Sequence, residues 1–349
     1  MAKKTALNPF DVIRGWIDAA KPECEFAGST PAYFGKWRRR FRPRYRKCLG
    51  RWPAQVPPRL RVTDRTRKKD HVRERILYDS SPGVTVPAYI LTPLDAKIDR
   101  RRPGILAAHG HGRGKADICG VTREKGAAKD VADVERTNQE YAIEAVRRGY
   151  VVIAPDWMPF GERSAPPGWG GGHSCNPTDI AWRYFGRPLL TQNIWDAMRA
   201  VDILAAHPAV NPRRLGVIGL SYGGTMATHM LINDRRIRAG VVSGYISTIG
   251  GDALQRDSGP NTCGAQHVPG LLLYGDIPEM LGLAVPKPVL CEMGKREACF
   301  YYPDMKRAYR RLARIYRAAG YPERLAQDSH PGPHRWSGTL AWKWLERWL

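Results

Sequence analysis

Nowhere in the sequence do roughly 18 apolar residues run consecutively, so no transmembrane helix is expected. A secretory h-region is also missing, because Pro9, Asp11, Arg14 and Asp18 interrupt the apolar residues that follow Lys3 and Lys4. There is no CxxC pair. The seven cysteines (Cys24, Cys48, Cys119, Cys175, Cys263, Cys291 and Cys299) are scattered and odd in number, which predicts reduced thiols and a cytoplasmic location. A secreted form whose signal had been removed stays open. Acidic residues are scarce, 33 against 56 Lys plus Arg, and the formal charge of +23 raises the question of polyanionic partners. No internal repeat or low-complexity tract is found.

What is present fits a soluble globule with a sizeable core: 43% of the residues are hydrophobic and 26% are charged. The 349 residues exceed the roughly 100 to 200 of an average domain, but α/β enzymes often spend such a length on one domain with insertions. Residues 1–75 differ from the rest, with Trp16, Trp37, Trp52 and a basic run from Lys36 to Arg51, and are read as a helical lead-in packed on a catalytic domain of residues 76–349. Val72 to Leu77 and Val84 to Leu91 flank Ser80-Ser81-Pro82-Gly83, which predicts an antiparallel hairpin. From about residue 100 (~100) the pattern changes to short apolar runs alternating with helical stretches. The runs are Ile105 to Ala108, Val151 to Ala154, Leu215 to Leu220, Ala239 to Ser243 and Val289 to Glu292, with a last strand at Arg324 to Gln327. Apolar runs of that kind argue for a mostly parallel, doubly wound sheet covered on both faces. The predicted helices are Ala132 to Arg148, Leu189 to Ala206, Pro303 to Ala319 and Ser337 to Leu349. The Pro- and Gly-rich stretches Met158 to Thr178 and Ser247 to Pro269 read as active-site loops on the C-terminal edge of that sheet.

The most informative string runs from Leu215 to Leu231: a strand, then Gly219-Leu220-Ser221-Tyr222-Gly223, then a helix. A serine in so sharp a strand-to-helix turn is presented as a nucleophile, with flanking glycines leaving room for backbone and substrate. A bare GxSxG could be an ordinary turn; the strand before it and the helix after it are what make it an elbow. In this architecture the chain order is Ser, acid, His. His229 sits on the elbow helix and reads as packed, whereas His330 and His334 both follow the last strand. His334, in Pro331-Gly332-Pro333-His334, is preferred, with activity rising as it loses its proton near an ordinary pKa of roughly 6 to 7. The acid should follow Val289 to Glu292, and Glu297 is preferred by position over Glu292, still on the strand, and Asp304, an apparent N-cap. Asp252 and Asp257 are held in reserve. The backbone N–H groups of His111 and Tyr222 are the expected oxyanion donors. His109 and His111 are not read as metal ligands, since no third ligand of suitable spacing is evident, and no cofactor is expected. Trp157, Trp169, Tyr245 and His267 are candidates to line the substrate pocket.

His109 to Gly112, Ala154-Pro155-Asp156 with Phe160-Gly161-Glu162-Arg163, Gly219 to Gly224, Val242-Ser243-Gly244-Tyr245 and His334-Arg335-Trp336-Ser337-Gly338 together resemble the bacterial α/β-hydrolases related to acetylxylan esterases and dienelactone hydrolases. The resemblance spans about residue 70 (~70) to the end. It implies an α/β-hydrolase fold with an eight-stranded core sheet, a triad on Ser221, Glu297 and His334, and hydrolysis of small-molecule carboxylic esters. Glu297 departs from the Asp usual in such families, and Ser221 replaces the Cys of dienelactone hydrolases. Two other readings compete: a peptidase of the prolyl oligopeptidase type, against which stands the absence of a propeller-sized N-terminal domain, and a nucleic-acid binder. Arginine is used throughout the chain and no nucleic-acid motif is present, so a solvated basic surface is preferred. No membrane partner is expected, and a homo-oligomer stays open.

Overall fold

A computed structural model describes residues 8–169, 174–254 and 263–349. Among them nine strands form one sheet: β1 Arg61–Arg67, β2 His71–Ser81, β3 Val84–Pro93, β4 Arg102–Ala108, β5 Val151–Pro155, β6 Val210–Leu220, β7 Ile237–Ser243, β8 Val289–Gly294 and β9 Leu325–His330. Their spatial order is β1-β2-β3-β5-β4-β6-β7-β8-β9. The ladders joining β1, β2, β3 and β5 are antiparallel, and all those from β5 through β4 to β9 are parallel.

Alternation along the strands divides the core between two faces. Leu106, Ile153, Val217, Val242 and Cys291 point to one face, under the helices Pro31–Cys48, Leu189–Ala206, Tyr222–Asn233 and Tyr302–Ala318. Ile105, Val152, Ile218, Val241 and Leu290 point to the other, against Tyr141–Arg147 and Ala341–Trp348. With both faces covered, the central strands carry apolar residues at consecutive positions, the pattern the sequence displays.

Several expectations need correction. The sheet has nine strands, not eight: β1, inside the stretch read as helical lead-in, is exposed along nearly its whole length, so Arg-Val-Thr-Asp-Arg-Thr-Arg carries no apolar alternation to reveal it. The helix expected over Ala132 to Arg148 is two, Ala128–Thr137 and Tyr141–Arg147, broken at Asn138, whose left-handed φ of 49° caps the first. The last helix begins at Ala341 rather than Ser337. The loop starting at Met158 ends early, since Cys175–Arg183 is helical.

The basic run lies on the helix Pro31–Cys48, capped by Thr30, with Phe34, Trp37, Phe41, Tyr45 and Cys48 buried at three and four spacing. Several of its arginines serve the chain itself. Arg42 donates to the Leu283 carbonyl at 2.7 Å, Arg38 to that of Val285 at 3.1 Å, and Arg40 and Arg44 pair with Glu23. Tyr45 meets His229 Nδ1 at 2.7 Å on the elbow helix, so His229 is a buried packing residue, its pKa pushed down to about 3 by burial.

Candidate active site

Strand order reverses around β4 and β6, and ligands in open α/β sheets bind where it does so, beyond the carboxyl ends of the strands. Ser221 leaves β6 there. Its φ of 62° and ψ of −122° lie in a region that L residues rarely occupy, and strain of this kind is tolerated only where neighbours over-determine it. The glycines supply that constraint: a Cβ on Gly223 would lie 2.0 Å from the Ala108 carbonyl oxygen, one on Gly219 2.3 Å from that of Gly223, and one on Gly224 2.6 Å from that of Ser243. β6 can thus turn into its helix against β4 only without side chains at these positions. The Ser221 N–H donates to the Ser243 carbonyl at 3.0 Å, tying the elbow to the end of β7.

A cavity of about 310 Å³ opens above the elbow, lined among other residues by His111, Ser221, Gln266, Cys299 and His334. A larger cavity of about 520 Å³, between Trp52, Trp195, Arg46 and Lys47, contains no nucleophile–base pair. His334 comes from the loop after β9, as expected, and its Nδ1 lies 2.8 Å from Glu297 Oε1. The carboxylate is not in line with the ring N–H, so the contact is a close ion pair rather than a linear hydrogen bond. Such contacts are often loose before substrate binds.

Backbone pairing sets this geometry. Lys295 N–H donates to the His330 carbonyl at 2.9 Å and Arg296 N–H to that of Gly332 at 3.1 Å, lacing the turn after β8 to the turn after β9. A Cβ on Gly244 would lie 2.9 Å from His334 Cε1, so the β7 turn also has to stay bare beneath the ring. Burial works against the His334 imidazolium, but Cys299 and Glu297 outweigh it and push the pKa up to about 10, well above the expected histidine range.

The other acids lie elsewhere. Glu292 is fully buried and accepts from the backbone N–H of Ser337 at 3.1 Å and of Gly338 at 2.9 Å, fixing the chain just beyond His334. Burial raises its pKa to about 7. Asp304 pairs with Arg307. Asp257 and the side chain of Asp252 fall outside the described residues. His330 does not line the cavity; its Nδ1 accepts from Gly332 N–H at 3.2 Å within its own turn.

The rings of His111 and Tyr222 meet beside the elbow with their centres 5.6 Å apart, and Tyr222 is pinned by Asn193 Nδ2, which donates to its hydroxyl at 2.7 Å. His109 is an internal brace, bonded through Nδ1 to the Gly110 carbonyl at 2.7 Å and accepting the Trp157 N–H on Nε2 at 3.0 Å. Below it, Lys115 Nζ, 2% exposed, meets Asp156 Oδ2 and Glu162 Oε1, each at 2.5 Å.

None of the four expected substrate-lining residues is among those lining the cavity. Trp157 is fully buried, stacked at 5.8 Å on His109, and Tyr245 is buried against Phe300. Trp169 stands exposed, and His267 bonds Arg183. Arg136, Gln139, Gln266 and Cys299 are there instead. Neither hydropathy nor motif marks these four, because they reach the cavity from turns and helix ends that only folding brings together.

The chain is 25% identical to "Putative hydrolase YtaP" of Bacillus subtilis (strain 168) over 311 residues, 87% of this chain and 97% of that protein. A "putative acetyl xylan esterase" from Bacteroides fragilis NCTC 9343 is similar in structure, with a TM-score of 0.76, 17% identity, and coverage of 95% of this chain and 84% of that one. A glucuronoyl esterase from Solibacter usitatus gives a TM-score of 0.65 at 15% identity over 99% of this chain and 98% of that one. The Abhydrolase family model matches residues 3–333, so this chain, with its serine elbow on a mostly parallel sheet, belongs to the Abhydrolase family and has the α/β-hydrolase fold.

Proposed function

We propose that the protein is a serine esterase cleaving small carboxylic esters through an acyl-enzyme on Ser221. The observation that carries this reading is that Ser221, at its strained elbow, and His334, with Glu297 against its Nδ1, come from two distant segments to line one cavity. In the first half-reaction Ser221 Oγ attacks the ester carbonyl carbon while its proton passes to His334 Nε2. The oxyanion is met by the backbone N–H groups of His111 and Tyr222. Collapse expels the alcohol, which takes the proton from the imidazolium, and water repeats the sequence to release the acid. Glu297 holds the ring's tautomer and stabilises its charged form.

At about 310 Å³, near the lower end of small-molecule sites, the cavity suits a compact acyl group. Arg136, Gln139 and Gln266 along its wall favour a polar alcohol over a long aliphatic one. Esterified sugars are therefore the class to test first, a choice that the acetyl xylan and glucuronoyl esterase descriptions of the two structural relatives also favour. Part of the basic run serves the chain itself, since Arg38, Arg40, Arg42 and Arg44 are engaged within it.

A panel of p-nitrophenyl esters of increasing acyl length, run beside acetylated sugars, tests the reading. Turnover should be highest with short acyl groups, Ser221→Ala should lower it by on the order of a millionfold without unfolding the protein, and a fluorophosphonate should label Ser221. Undiminished hydrolysis by the alanine variant would refute the mechanism.

A further inference from the structure

His111 has partners that no sequence spacing suggests. Its Nε2 lies 3.1 Å from Cys263 Sγ, and Cys175 Sγ completes a group whose three ligand atoms all lie within 4.8 Å of one another. Three separate pieces of backbone make the cluster. His111 follows β4, with its ring set edge-on to Phe160 at 5.1 Å. Cys175 opens the helix Cys175–Arg183, and Cys263 precedes the single turn Gly264–Gln266. The last two segments are locked together. Gly264 N–H donates to Asn176 Oδ1 at 2.7 Å, and a Cβ on Gly264 would meet Asp179 Cβ at 2.8 Å, so only glycine permits this approach.

The donor chemistry is selective. Two sulfurs and one imidazole nitrogen, with no carboxylate among them, are a soft set suited to zinc-like ions and unsuited to Mg²⁺ or Ca²⁺. A tetrahedral zinc ion with Zn–S about 2.3 Å and Zn–N about 2.0 Å places its ligand atoms roughly 3.5 to 3.8 Å apart. The observed separations of 3.1 Å and up to 4.8 Å bracket that range, so an ion requires only side-chain adjustment. We propose that His111, Cys175 and Cys263 form a binding site for a thiophilic divalent metal ion of the zinc class, with the fourth position left to solvent.

Thiols bind such an ion as thiolates, so binding releases the protons of Cys175 and Cys263 to solvent. The ion then sees two thiolates and a neutral imidazole. Because His111 also lines the Ser221 cavity, the metal clamps the segment after β4 to the two segments across the opening. A disulfide between the cysteines is the competing fate, but it would give the His111 ring no role, whereas the ring nitrogen is aimed at the Cys263 sulfur.

The test uses the full chain, reduced and stripped of metal, titrated with Co²⁺ in place of zinc. One equivalent should bind with the visible absorption of a tetrahedral site and the sulfur-to-cobalt charge transfer of two thiolates, and zinc should displace it. Cys175→Ser and Cys263→Ser should each weaken binding at least as much as the loss of an orienting outer-shell partner, about 10- to 100-fold, and His111→Ala should do likewise. Cys299→Ser should bind as the unaltered protein does, which separates this cluster from Glu297, Cys299 and His334, the other grouping of possible ligands. Zinc should also raise the melting midpoint of the unaltered protein, a readout independent of how well any variant folds. The proposal is overturned if the reduced protein takes up no tetrahedral cobalt at micromolar concentration, if Cys299→Ser alone abolishes uptake, or if zinc leaves the midpoint unmoved. None of these readouts depends on turnover, so they stand apart from the fate of the esterase reading.

Discussion

Glu297 Oε1 lies 2.8 Å from His334 Nδ1, although the two residues come from turns after different strands. Glu297→Gln should keep the fold but lower turnover by roughly 10³ to 10⁴, because an amide favours the wrong imidazole tautomer. Near-unaltered kcat in the Gln variant would remove Glu297 from the mechanism.

Cys299 and that carboxylate together set the direction of a pH effect. His334 accepts a proton only when neutral, and its pKa is raised to about 10, so activity should be low in acid and climb on the alkaline side of the ordinary histidine range. The stability it contributes is complete below the ordinary histidine value of 6.5 and is lost as pH rises through about 10. A pH–rate profile should show its rising limb shifted to lower pH in Glu297→Gln. An unshifted limb would mean that Glu297 does not govern the base.

Gly223 faces the end of β4 with no room for a methyl group, 2.0 Å being far inside any real carbon–oxygen contact. Gly223→Ala should therefore cost about 1–3 kcal/mol or more through forced backbone shifts. It should also lose most of its turnover, because the Ser221 turn moves with the backbone. Chemical denaturation run beside an ester assay checks both, and a stable, active alanine variant would show that the elbow has slack.

Lys115 and Asp156 form a nearly water-free pair beneath His109. Lys115→Met leaves the Asp156 carboxylate with only the backbone N–H groups of residues 115 and 162 as close donors, which should cost about 3–5 kcal/mol by urea denaturation. A loss below ~1 kcal/mol would mean that the pair is as dispensable as an exposed one.

Glu292 gives a different pH signature. Its pKa rises from 4.5 to about 7 on folding, so the folded state binds the proton more tightly and stability should fall as pH increases across that window. Glu292→Gln should flatten that fall while reducing turnover less than Glu297→Gln does. Denaturation midpoints at pH 5 and 7 would show the difference, and an unchanged slope would exclude Glu292 as its source.

The central strands, the hairpin, the elbow and the turn carrying His334 are legible in the sequence because each is a local signal. A strand covered on both faces writes an unbroken apolar run, and Gly-x-Ser-x-Gly between a strand and a helix states the steric requirement at Ser221. β1 stays hidden because an exposed edge strand needs no apolar pattern. Trp157 misleads because a large aromatic after a strand can line a pocket or fill a core; packing on His109 decides for the core. Glu292 lies on β8 and Glu297 in the turn after it, and only the pairing of the turns after β8 and β9 sends one carboxylate to the imidazole and the other to the backbone of Ser337 and Gly338. Cys175 and Cys263 carry no spacing signal toward His111 at all. The sequence by itself determined the strand pattern, the serine elbow and the preference for His334, since these depend on neighbours in the chain. The partner of His334, the wall of the cavity and the sulfur cluster were decided by the tertiary structure, since each depends on distances between segments that only the closed sheet and its loops bring within a few ångströms.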